Sequence, residues 1–345
     1  MEAAPRIVVA DDSGLMRRVV AGALRRAGAD IVGEAADGDE ALALCTRLAP
    51  DVMTLDLTMP GLDGIGVLKA LRATPALKAL PVVVVSAFSP RHGARAVDAL
   101  AEGAFELVAK PTGPNGVQSF TDELQSKIQL AVASRSRAPV VPAAAAPQRG
   151  GRARAGRAPL VVIASSTGGP RALAEFVPAL PAPLGAGALI VQHMPPGFTH
   201  SLATRLDKAG RLTVREAADG DALSPDVALL APGGRHLRLD ADRRVRLGDG
   251  PPVGGLRPRA DLTIVDAART FGERVVLVVL TGMGADGTDG AREVKARGGQ
   301  VLVEAEETCT VYGMPRAVAD AGLADSVLAL GELAPAVAEL AGVRA

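Results

Sequence analysis

In the first third of the chain, residues able to do chemistry stand where apolar runs stop. Asp11 and Asp12 follow RIVVA, Asp56 closes VMTLD, Ser86 closes PVVVVS, and Lys110 closes FELVAK just before Pro111. Carboxylates converging on one edge repel one another unless a cation sits among them. Oxygen ligands completed by water suit Mg2+. A lysine adds a mobile positive charge, and a serine hydroxyl can donate to an anion. The set is suited to a phosphoryl group arriving on a carboxylate, with Asp56 as nucleophile and Asp11 and Asp12 as its neighbours at the metal. Helix capping could account for Asp11 or Asp12 singly. It does not account for five suitable residues at five strand ends.

A second set lies beyond residue 159. LVVIASSTGGP (160–170) ends an apolar run on hydroxyls and glycines, VQHMPPGFTH (191–200) ends one on a histidine, and LTGMGADGTDG (280–290) follows seven apolar-rich positions. Ser, His and Asp at three strand ends are the parts of a nucleophile, a general base and its orienter. A serine hydroxyl needs an adjacent imidazole to take its proton. ASSTG resembles the G-x-S-x-G turn with Ala164 in place of the first glycine, which puts Ser166 at the nucleophile position. Thr167 N–H, just after it, is the natural first oxyanion donor, and Gly168 and Gly169 allow a helix to begin beside the reaction centre. His193 is the base. Asp286 is preferred over Asp289 as orienter because the glycines around it allow a tight loop. The order Ser, His, Asp differs from that of the α/β-hydrolases, where the acid precedes the histidine. Of the other histidines, His92 reads as surface, His200 as a helix residue outside the chemistry, and His236 as support near the cleft. No His, Cys and carboxylate cluster has zinc spacing. Tyr312 and Met314 in VYGMP suit either cleft lining or core packing.

Both sets need strands to present them. Before residue 134, apolar runs at 6–10, 31–35, 52–56, 81–86 and 105–110 alternate with helical periodicity at 14–27, 38–48, 64–73, 90–101 and 117–132. Such alternation predicts a doubly wound parallel sheet of five strands, with ligands gathered beyond the carboxyl ends. After residue 158, near-continuous apolar runs at 160–165, 188–193, 227–232 and 274–280 predict strands buried on both faces. Helical patterns accompany them at 170–180, 197–209, 287–297 and 331–342, and 236–248 reads as an antiparallel hairpin turning at 240–242. Between the halves, residues 134–158 are rich in Ala, Pro, Arg and Gly with no sustained apolar period, which predicts a flexible linker. The expected architecture is therefore two α/β domains, 1–133 and 159–345, joined by that tether.

Composition narrows the function. Lys plus Arg equals Asp plus Glu at 38 each, so no global field points to nucleic acid, and with no Trp, one Tyr and six Phe there is little surface for base stacking. Cys45 and Cys309 are too few for a disulfide framework. Neither a signal peptide nor a membrane-spanning run is evident, so a cytoplasmic protein is expected.

The first half resembles a response-regulator receiver domain through Asp11–Asp12, DLTMPGLDG around Asp56, Ser86 and Lys110–Pro111. The resemblance implies phosphorylation at Asp56 by a histidine kinase, a switch at Ser86 and Lys110, and Mg2+ held by Asp11, Asp12, Asp56 and the main-chain carbonyl of Thr58. One departure is that Leu107 stands where such domains carry an aromatic three residues before the lysine, with Phe105 two residues earlier. The second half resembles the catalytic domain of CheB chemotaxis methylesterases through IASSTGGP, VQHMPPGFT, LLAPGGRH, LTGMGADGTDG and TCTVYGMPRA. That resemblance implies nucleophile, base and orienter at Ser166, His193 and Asp286, with oxyanion donors at Thr167 and Met283 and no cofactor for the ester chemistry. It implies hydrolysis of glutamate γ-methyl esters on chemoreceptor signalling helices, and deamidation of receptor glutamines. RPRAD (257–261) departs from the usual R-P-S-x-D on what is expected to be the substrate side. Two other readings fit the same two-part chain: a methylesterase-like regulator of a receptor outside chemotaxis, and a non-catalytic, phosphorylation-controlled binding module.

Overall fold

A computed structural model describes residues 4–87, 90–111, 116–135 and 158–342, with 90–92 as backbone alone. Most of the expected linker (136–157) and the His92 side chain lie outside the described residues. The chain forms two units. In the first, β1 (Arg6–Ala10), β2 (Asp30–Ala35), β3 (Val52–Leu55), β4 (Val82–Ser86) and β5 (Glu106–Ala109) alternate with α1 (Gly14–Arg26), α2 (Gly38–Leu48), α3 (Gly64–Ala73), α4 (Pro90–Ala101) and α5 (Val117–Arg135). The strands are all parallel, in the order β2-β1-β3-β4-β5. The crossovers place helices on both faces, so β3 and β4 are buried throughout their length. The side chains of Ser13, Asp37 and Asp63 cap α1, α2 and α3, so capping does not consume Asp12 or Asp56. α5 continues through Ser134 and Arg135, two residues past the expected boundary. Ser134 Oγ donates to the Ala131 carbonyl, and Arg135 Nη1 donates to the Pro50 carbonyl at 2.6 Å.

In the second unit β6 (Leu160–Ser165), β7 (Ala188–Gln192), β8 (Thr213–Glu216), β9 (Val227–Leu230), β12 (Val275–Val279), β13 (Gln300–Glu304) and β14 (Ser326–Leu328) form one parallel sheet in the order β14-β13-β12-β6-β7-β9-β8. The helices are α6 (Gly169–Phe176), α7 (Phe198–Ala209), α8 (Ala260–Phe271), α9 (Thr288–Ala296), α10 (Met314–Asp320) and α11 (Leu330–Leu340). β10 (His236–Leu239) and β11 (Val245–Gly248) make the expected antiparallel hairpin. Arg238 fastens it to α8 by a two-pronged pair with Asp266, at 2.6 and 2.9 Å.

The sequence pattern missed β8, β13, β14, α8 and α10. β8 (TVRE) is an edge strand with charged outward positions, and β14 has three residues. α8 follows Pro258 and contains Thr263, Ile264 and Val265, which weakens a helical reading. The core is aliphatic, as the scarcity of aromatics requires, and Met314 belongs to it.

The chain leaves β6 toward β7 on one side and returns to pair β12 on the other. Beyond the carboxyl ends of such a reversal a crevice opens between loops that run in opposite directions. Asp286 lies past β12, Ser166 follows β6 and His193 follows β7, so the fold brings these three segments to one edge.

α8 and α9 approach closely at Gly290, where a side-chain methyl would lie 2.6 Å from Ile264 Cβ. Gly290→Ala should therefore lower the stability of this unit by about 1–3 kcal/mol, measured by chemical denaturation. An unchanged midpoint would show that the two helices can part without cost.

Candidate functional site

In the first unit, the carboxylate oxygens of Asp11, Asp12 and Asp56 lie within 4.8 Å of one another at the carboxyl edge of the sheet. Lys110 Nζ bridges two of them, 2.8 Å from Asp11 Oδ2 and 3.0 Å from Asp56 Oδ2. Burial pushes the Asp56 carboxyl up, opposed by the charge and hydrogen bond of Lys110 and by the Thr58 main-chain N–H, while Asp11 adds to the upward push. Burial pulls Lys110 down, but Asp11 and Asp56 outweigh it and raise its pKa. The Ser86 hydroxyl is buried at the end of β4 with no hydrogen-bond partner among the described residues. A compact set of hard oxygen donors with an unspent hydroxyl suits a divalent cation and an incoming anion. Thr58 is exposed, while Leu107 and Phe105 are both buried.

In the second unit, His193 Nε2 lies 2.7 Å from Asp286 Oδ2. With Nε2–H given to the carboxylate, Nδ1 is left to accept a proton. Asp286 is almost wholly buried but well satisfied. Its Oδ2 also accepts from Ala260 N at 2.7 Å, and its Oδ1 accepts from Asp261 N at 2.9 Å and from its neighbour Gly287 N at 3.0 Å. Burial alone would raise its pKa. The His193 hydrogen bond and charge, with the Asp261 and Ala260 amides, instead hold it well below the usual carboxylate range. Asp286 is thus kept ionised to face the imidazole.

Those two amides belong to the first turn of α8, so the last two residues of RPRAD build the seat of Asp286. Arg259 Nη2 donates to Asp261 Oδ2 at 2.5 Å, and its Nε lies 3.5 Å from Asp286 Oδ1. Asp261 Oδ1 in turn accepts from Gly287 N and Gly290 N, at 2.9 and 2.8 Å. Burial, then the neighbouring charge of Asp286, pushes the Asp261 carboxyl up against the Gly290 amide and Arg259. Sequence reasoning missed this support, because main-chain donors leave no signature in residue type.

Ser166 stands just past β6, nearly buried, its N–H donating to the Thr281 carbonyl at 3.0 Å. Its main chain is not twisted into the left-handed region. Among the described residues only Ala49 and Arg243 adopt positive φ outside glycine, and the sharp turn here falls on Gly168, at φ 78°. Gln192, at the end of β7, clamps the two segments: Nε2 donates to the carbonyls of Ser166 and His193, both at 2.9 Å, and Oε1 accepts from Ser165 Oγ at 2.6 Å. A methyl on Gly169 would lie 2.0 Å from that Oε1, which explains the second glycine of STGG. No hydrogen bond joins Ser166 Oγ to His193 among the described residues. The loop after β12 closes the other side. Gly282 forms a bridge with Tyr312, and Met283 beyond it is 48% exposed, whereas Thr167 is buried. His200 is exposed beside Glu216, and His236 bonds the Pro251 carbonyl.

Comparison with known proteins matches two family models, CheB methylesterase over residues 161–337 and response regulator receiver domain over residues 7–120. A protein-glutamate methylesterase/protein-glutamine glutaminase of Symbiobacterium thermophilum is 43% identical, covering 98% of this chain and 97% of its own length. A relative of the same name in Myxococcus xanthus, numbered 5, is 43% identical, with 95% and 96% covered. Among solved structures, the catalytic domain of the CheB methylesterase of Thermotoga maritima superposes with a TM-score of 0.52 at 46% identity, over 53% of this chain and 98% of that one.

Removing the Asp286 carboxylate orphans the amides of α8 and leaves the imidazole unpaired. Asp286→Ala should cost about 3–5 kcal/mol at pH 7, read by denaturant unfolding. Because folding depresses this pKa, the lost stability is full above the ordinary carboxylate value of about 4 and fades as pH falls toward the folded value. The gap between variant and wild type should therefore narrow on acidification. A gap that widens would contradict an ionised Asp286.

Proposed function

This chain belongs to the CheB methylesterase family, and we propose that Ser166, His193 and Asp286 carry its chemistry. The protein is a protein-glutamate methylesterase, a carboxylic ester hydrolase with a companion protein-glutamine glutaminase activity, coupled to a receiver domain in chemotaxis. The observation that carries the site assignment is the buried Asp286 carboxylate, which accepts from three main-chain amides and is bonded to His193 Nε2. It leaves Nδ1 as the base at the strand end beside Ser166.

In this mechanism His193 Nδ1 takes the Ser166 proton as Oγ attacks the ester carbonyl carbon of a receptor glutamate. Negative charge on the carbonyl oxygen meets the main-chain N–H groups of Thr167 and Met283. Asp286 stabilises the imidazolium, which passes its proton to the departing methoxide and so releases methanol. Water, deprotonated by the same nitrogen, then attacks the acyl-serine, and the imidazolium returns that proton to Ser166 Oγ as its bond to the acyl carbon breaks, leaving a glutamate carboxylate. With glutamine as substrate the leaving group is ammonia. The exposure of Met283 suits a substrate side chain projecting from another protein's helix.

We assign residues 1–133 to the receiver, with its last helix running on to Arg135, the rest of 134–158 to the tether and 159–345 to catalysis. Asp56 is the phosphoacceptor, supplied by a histidine kinase. Asp11, Asp12, Asp56 and the Thr58 carbonyl would hold Mg2+, which would supply charge neutralisation for an incoming phosphoryl group. Lys110, already shared between Asp11 and Asp56, turns to the phosphoryl, and Ser86 donates its unspent hydroxyl to it. Kinase and receptor signalling helices both meet this protein in the cytoplasm.

The test is methanol release from methylated receptor fragments. Ser166→Ala should lose on the order of 10⁴-fold or more in rate. Ser165→Ala keeps the nucleophile and forfeits its bond to Gln192, so it should stay within about tenfold and lose about 1–2 kcal/mol of stability. The reverse ranking would move the nucleophile to Ser165. A small-molecule phosphoryl donor should raise the rate of the full chain, and Asp56→Asn should abolish that rise while sparing the basal rate. Activation that persists in Asp56→Asn would place the phosphoacceptor elsewhere.

A further inference from the structure

Glu304, the last residue of β13, is a carboxylic acid that the mechanism above leaves unused. It is 0% exposed. The main-chain register between β12 and β13 ends at Val279 and Val303, and beyond it the Glu304 side chain takes over: Thr281 N donates to Oε2 at 2.7 Å. Oε1 has no hydrogen-bond partner among the described residues.

Thr281 is the hub of the site's main chain. Its carbonyl accepts from Ser166 N at 3.0 Å, and its Oγ1 donates to the Thr167 carbonyl at 2.9 Å while accepting from Val311 N at 2.9 Å. The next residue, Gly282, is fixed by Val311, Gly313 and Met314 through main-chain bonds of 2.8–3.0 Å. We propose that Glu304 is a positioning residue of the Ser166 site: its carboxyl holds the Thr281 amide, and Thr281 in turn sets the turn that presents Ser166 and Thr167. The proposal rests on Ser166 being the nucleophile.

The surroundings favour the neutral acid in this role. Burial pushes the Glu304 carboxyl up and the charge of Glu175 of α6 adds to that, opposed by the Thr281 amide, the Thr308 hydroxyl and the Cys309 thiol; none of these neighbours is cationic. The Cys309 thiol is itself pushed up by burial, then by Glu304, and so stays protonated. Lys295 is engaged with Asp325 at the opposite end of β13, where Asp325 also accepts from Val301 N. A neutral Glu304 accepts from Thr281 on one oxygen and carries its proton on the other. An ionised one would place a charge with no counter-ion at the end of the sheet.

The experiment compares full-length wild type, Glu304→Ala and Glu304→Gln in methanol release and denaturant unfolding across pH. Glu304→Ala should lower kcat about 10- to 100-fold with little change in KM, and Glu304→Gln, which keeps the acceptor for Thr281, should restore most of that loss. As pH rises through the ionisation of Glu304, the wild type should lose rate and Glu304→Gln should not. Folding raises this pKa, so the wild type pays a stability cost that is absent below the ordinary glutamate value and grows until the folded value is passed. Glu304→Gln should therefore gain on the wild type as pH rises. A wild-type kcat in Glu304→Ala, or identical pH profiles and stability curves for wild type and Glu304→Gln, would overturn the proposal. Should Glu304→Ala fail to fold, the glutamine comparison decides alone. A wild type that releases no methanol would instead sink the esterase reading, an outcome distinct from variants that track an active wild type.

Discussion

An ionised carboxylate at the buried end of a parallel sheet is the constraint on which the catalytic unit turns. Asp286 can stay charged there because the first amides of α8 are delivered to it, one to each oxygen, with the imidazole completing the set. A helix N-terminus has such donors to spare, and its dipole favours negative charge. The contact therefore binds three things at once: where α8 begins, how the loop after β12 folds, and which nitrogen of His193 is left for the serine. Arg259 and Asp261 form a second layer that holds the same helix start in place.

The two units treat buried carboxylates in opposite ways. Around Asp286 the protein has spent its donors in advance, so the charge is fixed and the imidazole is oriented before any substrate arrives. Around Asp56 the charged partner is a lysine shared with Asp11, and the Ser86 hydroxyl has no hydrogen-bond partner among the described residues. The first arrangement favours one state of a reaction centre. The second is responsive, because a new anion on Asp56 changes what Lys110 and Ser86 do best. On the proposed assignments, chemistry and control use the same kind of sheet edge with different degrees of prior satisfaction.

Much of this was legible in the sequence wherever a residue type had to be polar at the end of an apolar run. Asp11, Asp56, Ser86, Ser166, His193 and Asp286 all stand out in that way. So did the alternation of strands and helices in the first unit, because both faces of its inner strands are buried and their composition is correspondingly one-sided. What stayed hidden was the work done by main-chain groups. Nothing in the letters of Ala260 announces that its amide supports a carboxylate, and the β-branched start of α8 obscured the helix that delivers it. Gln192 and Glu304 were visible as polar residues, but their partners are carbonyls and amides brought close only by the fold. The turn after Ser166 owes its left-handed backbone to Gly168, two residues on, and Ser166 itself does not adopt positive φ.

The bridge between Gly282 and Tyr312 has an optical consequence. The chain has no tryptophan and a single tyrosine, so its ultraviolet emission arises almost entirely from one phenol. That phenol sits on the loop paired with the segment that carries Met283, and it is only partly buried. The protein therefore carries its single tyrosine at the rim of the Ser166 site, with no tryptophan to outshine it. Its quantum yield and quenching report the state of that rim against a dark background, without any label being introduced.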